Sequence, residues 1–256
     1  ARNDGGKFYR LNGGEPLANR HLPEILALAK KRYGLSVGLM TNLYRLSDGE
    51  LDSILDNCKW VRVSIDAGTA STYSRTHGVP ESDFVGLLSR LVWLAKRGRD
   101  TTVGASMLTC EKYKNDILPF IENAEECGCD YVAFRPYNDD LWDAREEIEK
   151  HSRGRSIKVH VAGSKYGQPR NYTRCIAPWF WLVIRANGEV RTCCERKDNA
   201  ASLCWAATLS AYFGSREMID KVNSIDPSEC PIGCHMDSYN KGIADIFGKV
   251  QDDNHL

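Results

Sequence analysis

Hydrophobic spacing along the first 137 residues alternates between two periods. A short extended run, KFYRLN (7–12), closes on Gly13-Gly14. RHLPEILALAKKRYG (20–34) places apolar residues at 22, 25, 26 and 28, a helical repeat that Gly34 stops. LSVGLMTN (35–42) predicts a strand. SDGELDSILDN predicts a helix, because Ser47 and Glu50 have the spacing of a capping box. KWVRVSIDA (59–67) alternates as a strand does, and a helical stretch covers roughly 82–97. TTVGASMLT (101–109) reads as strand, KNDILPFIENAEECG (114–128) as helix and DYVAFRPY (130–137) as strand. Five strands separated by four helical segments imply right-handed crossovers and a parallel sheet. Their near-regular spacing shows no switch in order, which predicts an α/β fold with a TIM-like (β/α) barrel sheet rather than a doubly wound one.

Beyond Tyr137 the character changes. NDDLWDAREEIEKHSRGR is charged and predicts a solvated helix followed by a loop, and SIKVHVAG is a candidate further strand. In PWFWLVIRANGEVRTCCE two extended runs flank Asn187-Gly188, a hairpin signal. Helical segments follow near 209–223 and 236–248. The expected division is a barrel-like domain over 1–155 and a small hairpin-plus-helix domain over 156–256.

Charge and composition narrow the function. Lys+Arg and Asp+Glu number 34 each, so net charge gives no case for nucleic acid or an anionic membrane. No apolar run approaches the roughly 20 residues of a membrane helix. Without a signal peptide, the ten cysteines read as cytoplasmic thiols or ligands rather than as a disulfide framework. Four of them, Cys175, Cys193, Cys230 and Cys234, form one spaced set: the first two flank the hairpin, the last two close a Cys-Pro-Ile-Gly-Cys run. Four soft thiolates suit a tetrahedral metal such as zinc or an iron–sulfur cluster. Cys194 and Cys204 are alternative ligands. Cys58, Cys110, Cys127 and Cys129 are read as small buried hydrophobes, and His21, His77, His151 and His160 as surface or loop residues.

In barrel folds chemistry gathers at the C-terminal ends of the strands. Those ends carry Gly13-Gly14-Glu15-Pro16, Thr41-Asn42, Ser64-Ile65-Asp66, Ser106 and Arg135. Two glycines let a ligand approach the backbone, and a neighbouring carboxylate can pair with an ammonium group. The same residues also suit an ordinary βα turn with an acid in the first helical turn.

LNGGEPLANRHLPEILALAKK, VGLMTN and VRVSIDA, in this order and spacing, resemble the radical S-adenosylmethionine (SAM) superfamily from about Phe8 to Tyr137. The resemblance implies that Gly13, Gly14, Glu15 and Pro16 bind the methionyl amino group of SAM and that Ser64 and Asp66 lie near its ribose. Leu43 departs from the family's Thr-Asn-Gly. The span Cys175-x12-Gly188-x4-Cys193 and the segment SECPIGCHMDSYNKG are similar to SPASM/twitch auxiliary-cluster domains, with His235 where an Arg is common. The full SPASM cysteine pattern is lacking. The shorter twitch form implies one auxiliary [4Fe–4S] cluster on Cys175, Cys193, Cys230 and Cys234.

The family's Cys-x3-Cys-x2-Cys triad, which holds the SAM-cleaving [4Fe–4S] cluster, is not in the sequence; Cys230–Cys234 is the one Cys-x3-Cys and has no third partner. Two expectations follow: a chain truncated before its first βα unit, which the abrupt start favours, or a degenerate relative that keeps the scaffold. A complete parent would hold that second cluster, cleave SAM reductively to a 5′-deoxyadenosyl radical and abstract hydrogen from a peptide, sugar or small molecule. It would draw electrons from a donor such as flavodoxin or ferredoxin. Arg135 and Tyr137 are candidate substrate contacts. A barrel without its first unit leaves an open strand edge, so the bare chain is expected to be poorly stable or prone to aggregate. The rival is a zinc- or cluster-stabilised binding module without radical chemistry. A hydrolase is disfavoured, because no nucleophile–base pair or His/Asp metal set stands at the strand ends.

Overall fold

A computed structural model describes residues 8–11, 14–97, 100–137, 142–162, 170–194, 202–230, 234 and 236–252. It divides into two compact units, 1–162 and 163–256.

In the first unit six strands run parallel in sequential order: β1 (Phe8–Leu11), β2 (Ser36–Thr41), β3 (Cys58–Ser64), β4 (Thr102–Thr109), β5 (Tyr131–Pro136) and β6 (Lys158–Val161). Each pairs with the strand before it in the chain. This is the arrangement of an open, partial (β/α) barrel, without the order reversal of a doubly wound sheet. SIKVHVAG supplies the sixth strand. Because β6 pairs with β5, the sheet continues past the expected division at 155/156.

Helices α1 (Leu22–Ala27), α2 (Asp48–Asn57), α3 (Ala70–His77), α4 (Ser82–Arg97), α5 (Ile117–Glu126) and α6 (Arg145–Ser152) fill the connections. The capping box starts α2: Ser47 Oγ accepts from Glu50 N and Glu50 Oε2 accepts from Ser47 N. Two predicted helices are less regular than their periodicity implies. After α1 the chain widens over Leu28–Arg32 into a π-helical turn, which Gly34, at φ +64°, brings to a stop. Residues 111–116 wind as a 3₁₀ turn before α5. The sequence reading did not place α3, a short, mostly polar helix capped by Thr69.

The two faces of the sheet differ. Val61 and Val63 of β3, Val103 and Ala105 of β4 and Val132 and Phe134 of β5 are buried. They belong to the layer with the helices: Phe134 meets Phe120 of α5 edge-on at 5.3 Å, and α4 buries Phe84, Leu87, Leu91 and Leu94 at helical spacing. The other face carries Trp60, Arg62 and Ser64 of β3 and Tyr131 and Arg135 of β5.

The second unit has its own small core. Strands β7 (Val183–Ile184), β8 (Glu189–Arg191) and β9 (Ser202–Trp205) form an antiparallel sheet. The hairpin turns at Asn187-Gly188 as expected, with Gly188 at φ +89° and Asn187 Oδ1 accepting from Glu189 N. Strand β9 is an addition to the sequence reading. After it come α7 (Leu209–Tyr212), α8 (Arg216–Asn223) and α9 (Asp237–Asp252). Val190, Leu203, Met218 and Val222 make the core. Among the described residues no helix is long and apolar enough to cross a membrane.

Candidate functional site

At the tip of β1 the structure describes three of the four Gly-Gly-Glu-Pro residues; Gly13 lies outside the described residues. Gly14 is exposed at φ +54°, with nothing within 4 Å of where a Cβ would stand. Glu15 caps a 3₁₀ turn that opens on Pro16. Its Oε1 accepts from Leu17 N at 2.9 Å and from Thr41 Oγ1 at 2.6 Å, and its Oε2 accepts from Asn42 N at 2.6 Å. A carboxylate offers about four lone-pair sites; these three bonds leave one on Oε2 for an incoming cation. The carboxylate thus ties the tip of β1 to the tip of β2.

Leu43 extends that tie. Its N–H donates to Thr41 Oγ1 at 2.9 Å, and its carbonyl accepts from Arg90 Nε at 2.8 Å. Its φ is +53°, a left-handed conformation rare for a bulky residue, and its side chain is fully buried.

The tip of β3 is built from further away. Ser64 is the last strand residue and pairs in register with Ser106 of β4. Asp66, at φ +56°, accepts from Leu108 N through Oδ1 at 2.7 Å. Burial raises its pKa, against the opposing effects of the Leu108 N–H and the charges of Arg135, His77 and Arg62. The turn after it is pressed against the chain before α5: a Cβ on Gly68 would lie 2.2 Å from Asp116 O. Asp116 accepts from Gly68 N at 3.0 Å and Thr72 Oγ1 at 2.7 Å, and Asn123 donates to Gly68 O at 2.8 Å. His77, expected to be a surface or loop residue, is exposed at the end of α3 and places Nε2 3.0 Å from Ile65 O. The sequence reading missed Asp116, Asn123 and this role of His77, since long-range polar contacts leave no periodic trace. Arg135 is exposed on β5, and Tyr137 follows the strand, 52% exposed.

In the second unit one cavity is lined by Cys175, Cys193, Cys194, Cys230 and Cys234. Asn240 anchors the first: its Oδ1 accepts from Ile176 N at 3.0 Å and its Nδ2 lies 3.6 Å from Cys175 Sγ. Met236 N lies 3.4 Å from Cys234 Sγ. Arg170 clamps the segment before Cys234, donating to Pro227 O at 2.9 Å and Cys230 O at 3.1 Å while pairing with buried Asp237 at 3.0 Å. Tyr172 also bonds Asp237. Its pKa is raised, by burial first and then by that carboxylate. Cys204 is not at this cavity; it packs on the Val190 core. His235 lies outside the described residues.

Chemistry separates the remaining thiols. Burial pushes Cys58 up to about 12, Cys127 to about 11 and Cys129 to about 12, so all three stay protonated at neutral pH. A mononuclear zinc site needs four sulfurs about 2.3 Å from one point. Among the described residues no group of three or more His, Cys, Asp or Glu side chains is placed to hold a metal ion.

No protein-family model matches the chain. It is similar, at 24% identity over 229 residues, to a probable GTP 3′,8-cyclase of Saccharolobus islandicus, covering 79% of this chain and 72% of that protein. A Saccharolobus solfataricus protein of the same description matches at 24% over 225 residues, 78% of this chain and 71% of the relative. Among solved structures, Streptococcus suis SuiB bound to S-adenosylmethionine superposes with a TM-score of 0.61 at 13% identity, over 85% of this chain and 54% of SuiB. The chain thus spans about half of SuiB's length. A structure of anSMEcpe with bound AdoMet superposes with a TM-score of 0.62 at 13% identity, over 98% of this chain and 83% of that one. At such identities what is shared with the solved proteins is the fold, a parallel sheet with its strand tips turned to one end.

Proposed function

We propose that this chain is part of a radical SAM enzyme. Its first unit holds SAM at Gly13, Gly14, Glu15 and Pro16, and its second unit is a twitch-like domain that ligates one auxiliary [4Fe–4S] cluster through Cys175, Cys193, Cys230 and Cys234. The observation that carries the reading is the Glu15 carboxylate, fixed by Thr41 and Asn42 at the strand tips beside a glycine with open space above it. Its remaining acceptor site suits the methionyl ammonium. Ser64 and Asp66 face the ribose hydroxyls in this reading, with the Leu108 N–H holding one Asp66 oxygen in place. Reduced there by one electron, SAM would part its sulfur–carbon bond to give methionine and a 5′-deoxyadenosyl radical able to take a hydrogen atom from substrate; the Cys-x3-Cys-x2-Cys that would hold the reducing cluster is not in the sequence.

The thiol cavity suits a soft-metal group. Cys175, Cys193, Cys230 and Cys234 line one space, and the likeness of their spacing to twitch domains favours a cluster over zinc. Asn240 Nδ2 and the Met236 N–H point hydrogen-bond donors at two of the sulfurs, contacts that help set a cluster's potential. A soluble donor such as flavodoxin or ferredoxin supplies the electrons, and a cytoplasmic, reducing location fits exposed thiols such as Cys194.

The test is anaerobic purification of the whole protein with iron, sulfide and zinc analysis. Brown protein that loses about four irons when Cys175 and Cys234 become Ala, and that forms 5′-deoxyadenosine from SAM under reduction, is the expected result. Colourless protein with one zinc and no SAM turnover sinks it and favours a zinc-stabilised binding module. A Cys-x3-Cys-x2-Cys encoded upstream of Ala1 bears directly on the SAM-cleaving activity.

A further inference from the structure

The strained turn after β2 is gripped from outside the sheet. Leu43 sits at φ +53°, a conformation that is costly for a residue with a Cβ, and its side chain is fully buried. Such a residue stays in place only where its surroundings over-determine it. Burial holds the side chain. The carbonyl is held separately: it accepts from Arg90 Nε at 2.8 Å, 47 residues away on α4. A hydrogen bond from a charged donor is roughly twice as strong as a neutral one.

Arg90 is well mounted for this contact. Leu87, Leu91 and Leu94, all fully buried, fix its stretch of α4 against the core. A long helical side chain leans toward the N-terminus of its own helix, which carries the guanidinium back over Gly86, one turn earlier. A Cβ on Gly86 would lie 3.3 Å from Arg90 Nη1. Glycine inside a helix lowers stability; here it leaves the guanidinium room. The same charge reaches buried Tyr73 of α3, whose pKa is raised by burial and drawn back by Arg90.

We propose that Arg90 is a positioning residue for the Glu15 site: by holding Leu43 left-handed it fixes the donors that orient the Glu15 carboxylate. The chain of bonds is continuous. Leu43 N–H donates to Thr41 Oγ1 at 2.9 Å, and Thr41 Oγ1 donates to Glu15 Oε1 at 2.6 Å. The N–H of Asn42, between them in sequence, donates to Glu15 Oε2 at 2.6 Å. A Leu43 that relaxed to the right-handed region would have to swing either its buried side chain or the peptide between residues 42 and 43. With that peptide go the Leu43 N–H and the backbone of Asn42. That Glu15 receives SAM rests on the reading above; the clamp on its carboxylate does not.

Two measurements on the full chain test it. In Arg90→Met, residue-resolved amide hydrogen exchange should show Asn42 and Leu43 exchanging at least about tenfold faster than in wild type, as loss of a charge-assisted bond predicts. The amides of Val132 and Phe134 in β5 should keep their wild-type rates. Affinity for SAM in equilibrium dialysis should fall by about the same factor, because the competent turn is populated for a smaller fraction of the time. Arg90→Lys should recover part of both and serves if the Met variant does not fold. Leu43→Gly relieves the strain, so adding Arg90→Met to it should weaken SAM binding by less than about threefold. Arg97→Gln, at an exposed pair with Asp48 on the same helix, should leave both readouts unchanged. Faster exchange throughout the sheet, β5 included, would reduce Arg90 to a general structural role and overturn the inference. So would unchanged exchange at residues 42 and 43, or an equal cost of Arg90→Met with and without Leu43→Gly. Selective exchange in a protein whose wild type binds no SAM would instead remove the SAM reading and leave the clamp standing.

Discussion

Leu43 gives a prediction whose sign runs against common experience. It holds φ +53° and is fully buried, so two terms oppose each other at one residue. Left-handed backbone costs an L-residue with a Cβ about 1–2 kcal/mol. Truncating a buried leucine to alanine costs about 2–5 kcal/mol in lost contacts and cavity. Leu43→Ala therefore suffers the packing loss and keeps the backbone strain. Leu43→Gly suffers nearly the same packing loss and is relieved of the strain. In an ordinary helix or strand, glycine is less stable than alanine by about 0.5–1 kcal/mol; here the order should reverse, with Leu43→Gly the more stable by about 1 kcal/mol. Both should fall below wild type. Urea unfolding followed by circular dichroism reads this as a shift in midpoint at constant slope. A Leu43→Ala variant equal to or more stable than Leu43→Gly would refute the assignment of strain. The result bears on the site, because Leu43 N–H orients the Thr41 hydroxyl that holds Glu15.

Three more outcomes are expected. Glu15→Ala strands the Thr41 hydroxyl and the N–H groups of Leu17 and Asn42; with water as a partial substitute, the loss should be about 1–2 kcal/mol. Glu15→Gln should lose less stability yet bind SAM at least about tenfold more weakly, and unchanged affinity in equilibrium dialysis would count against the ammonium site. Asp66 has a folded pKa above its unfolded one, so the native state binds its proton more tightly. Its contribution to stability should be greatest below the ordinary aspartate range near about 3.9. That contribution should be lost as pH rises through the higher folded value; Asp66→Asn, which can still accept from Leu108 N, should flatten that part of the profile in urea titrations at stepped pH. Native alkylation with iodoacetamide should spare Cys58, Cys127 and Cys129 and modify exposed Cys194, so equal labelling by peptide mass mapping would contradict their burial.

Why some of this was readable in the sequence and some was not has a physical basis. The β1 tip was legible because two glycines, a carboxylate and a proline are consecutive, and the contacts Glu15 makes are to the next strand tip in order. The grouping of the thiols was legible from their spacing about a hairpin, but not the choice among them: the cavity that takes Cys175, Cys193, Cys230 and Cys234 takes Cys194 as well. The support for Asp66 was not legible: Asp116 and Asn123 lie 48 and 55 residues from Gly68, whose backbone they hold, and nothing periodic marks them.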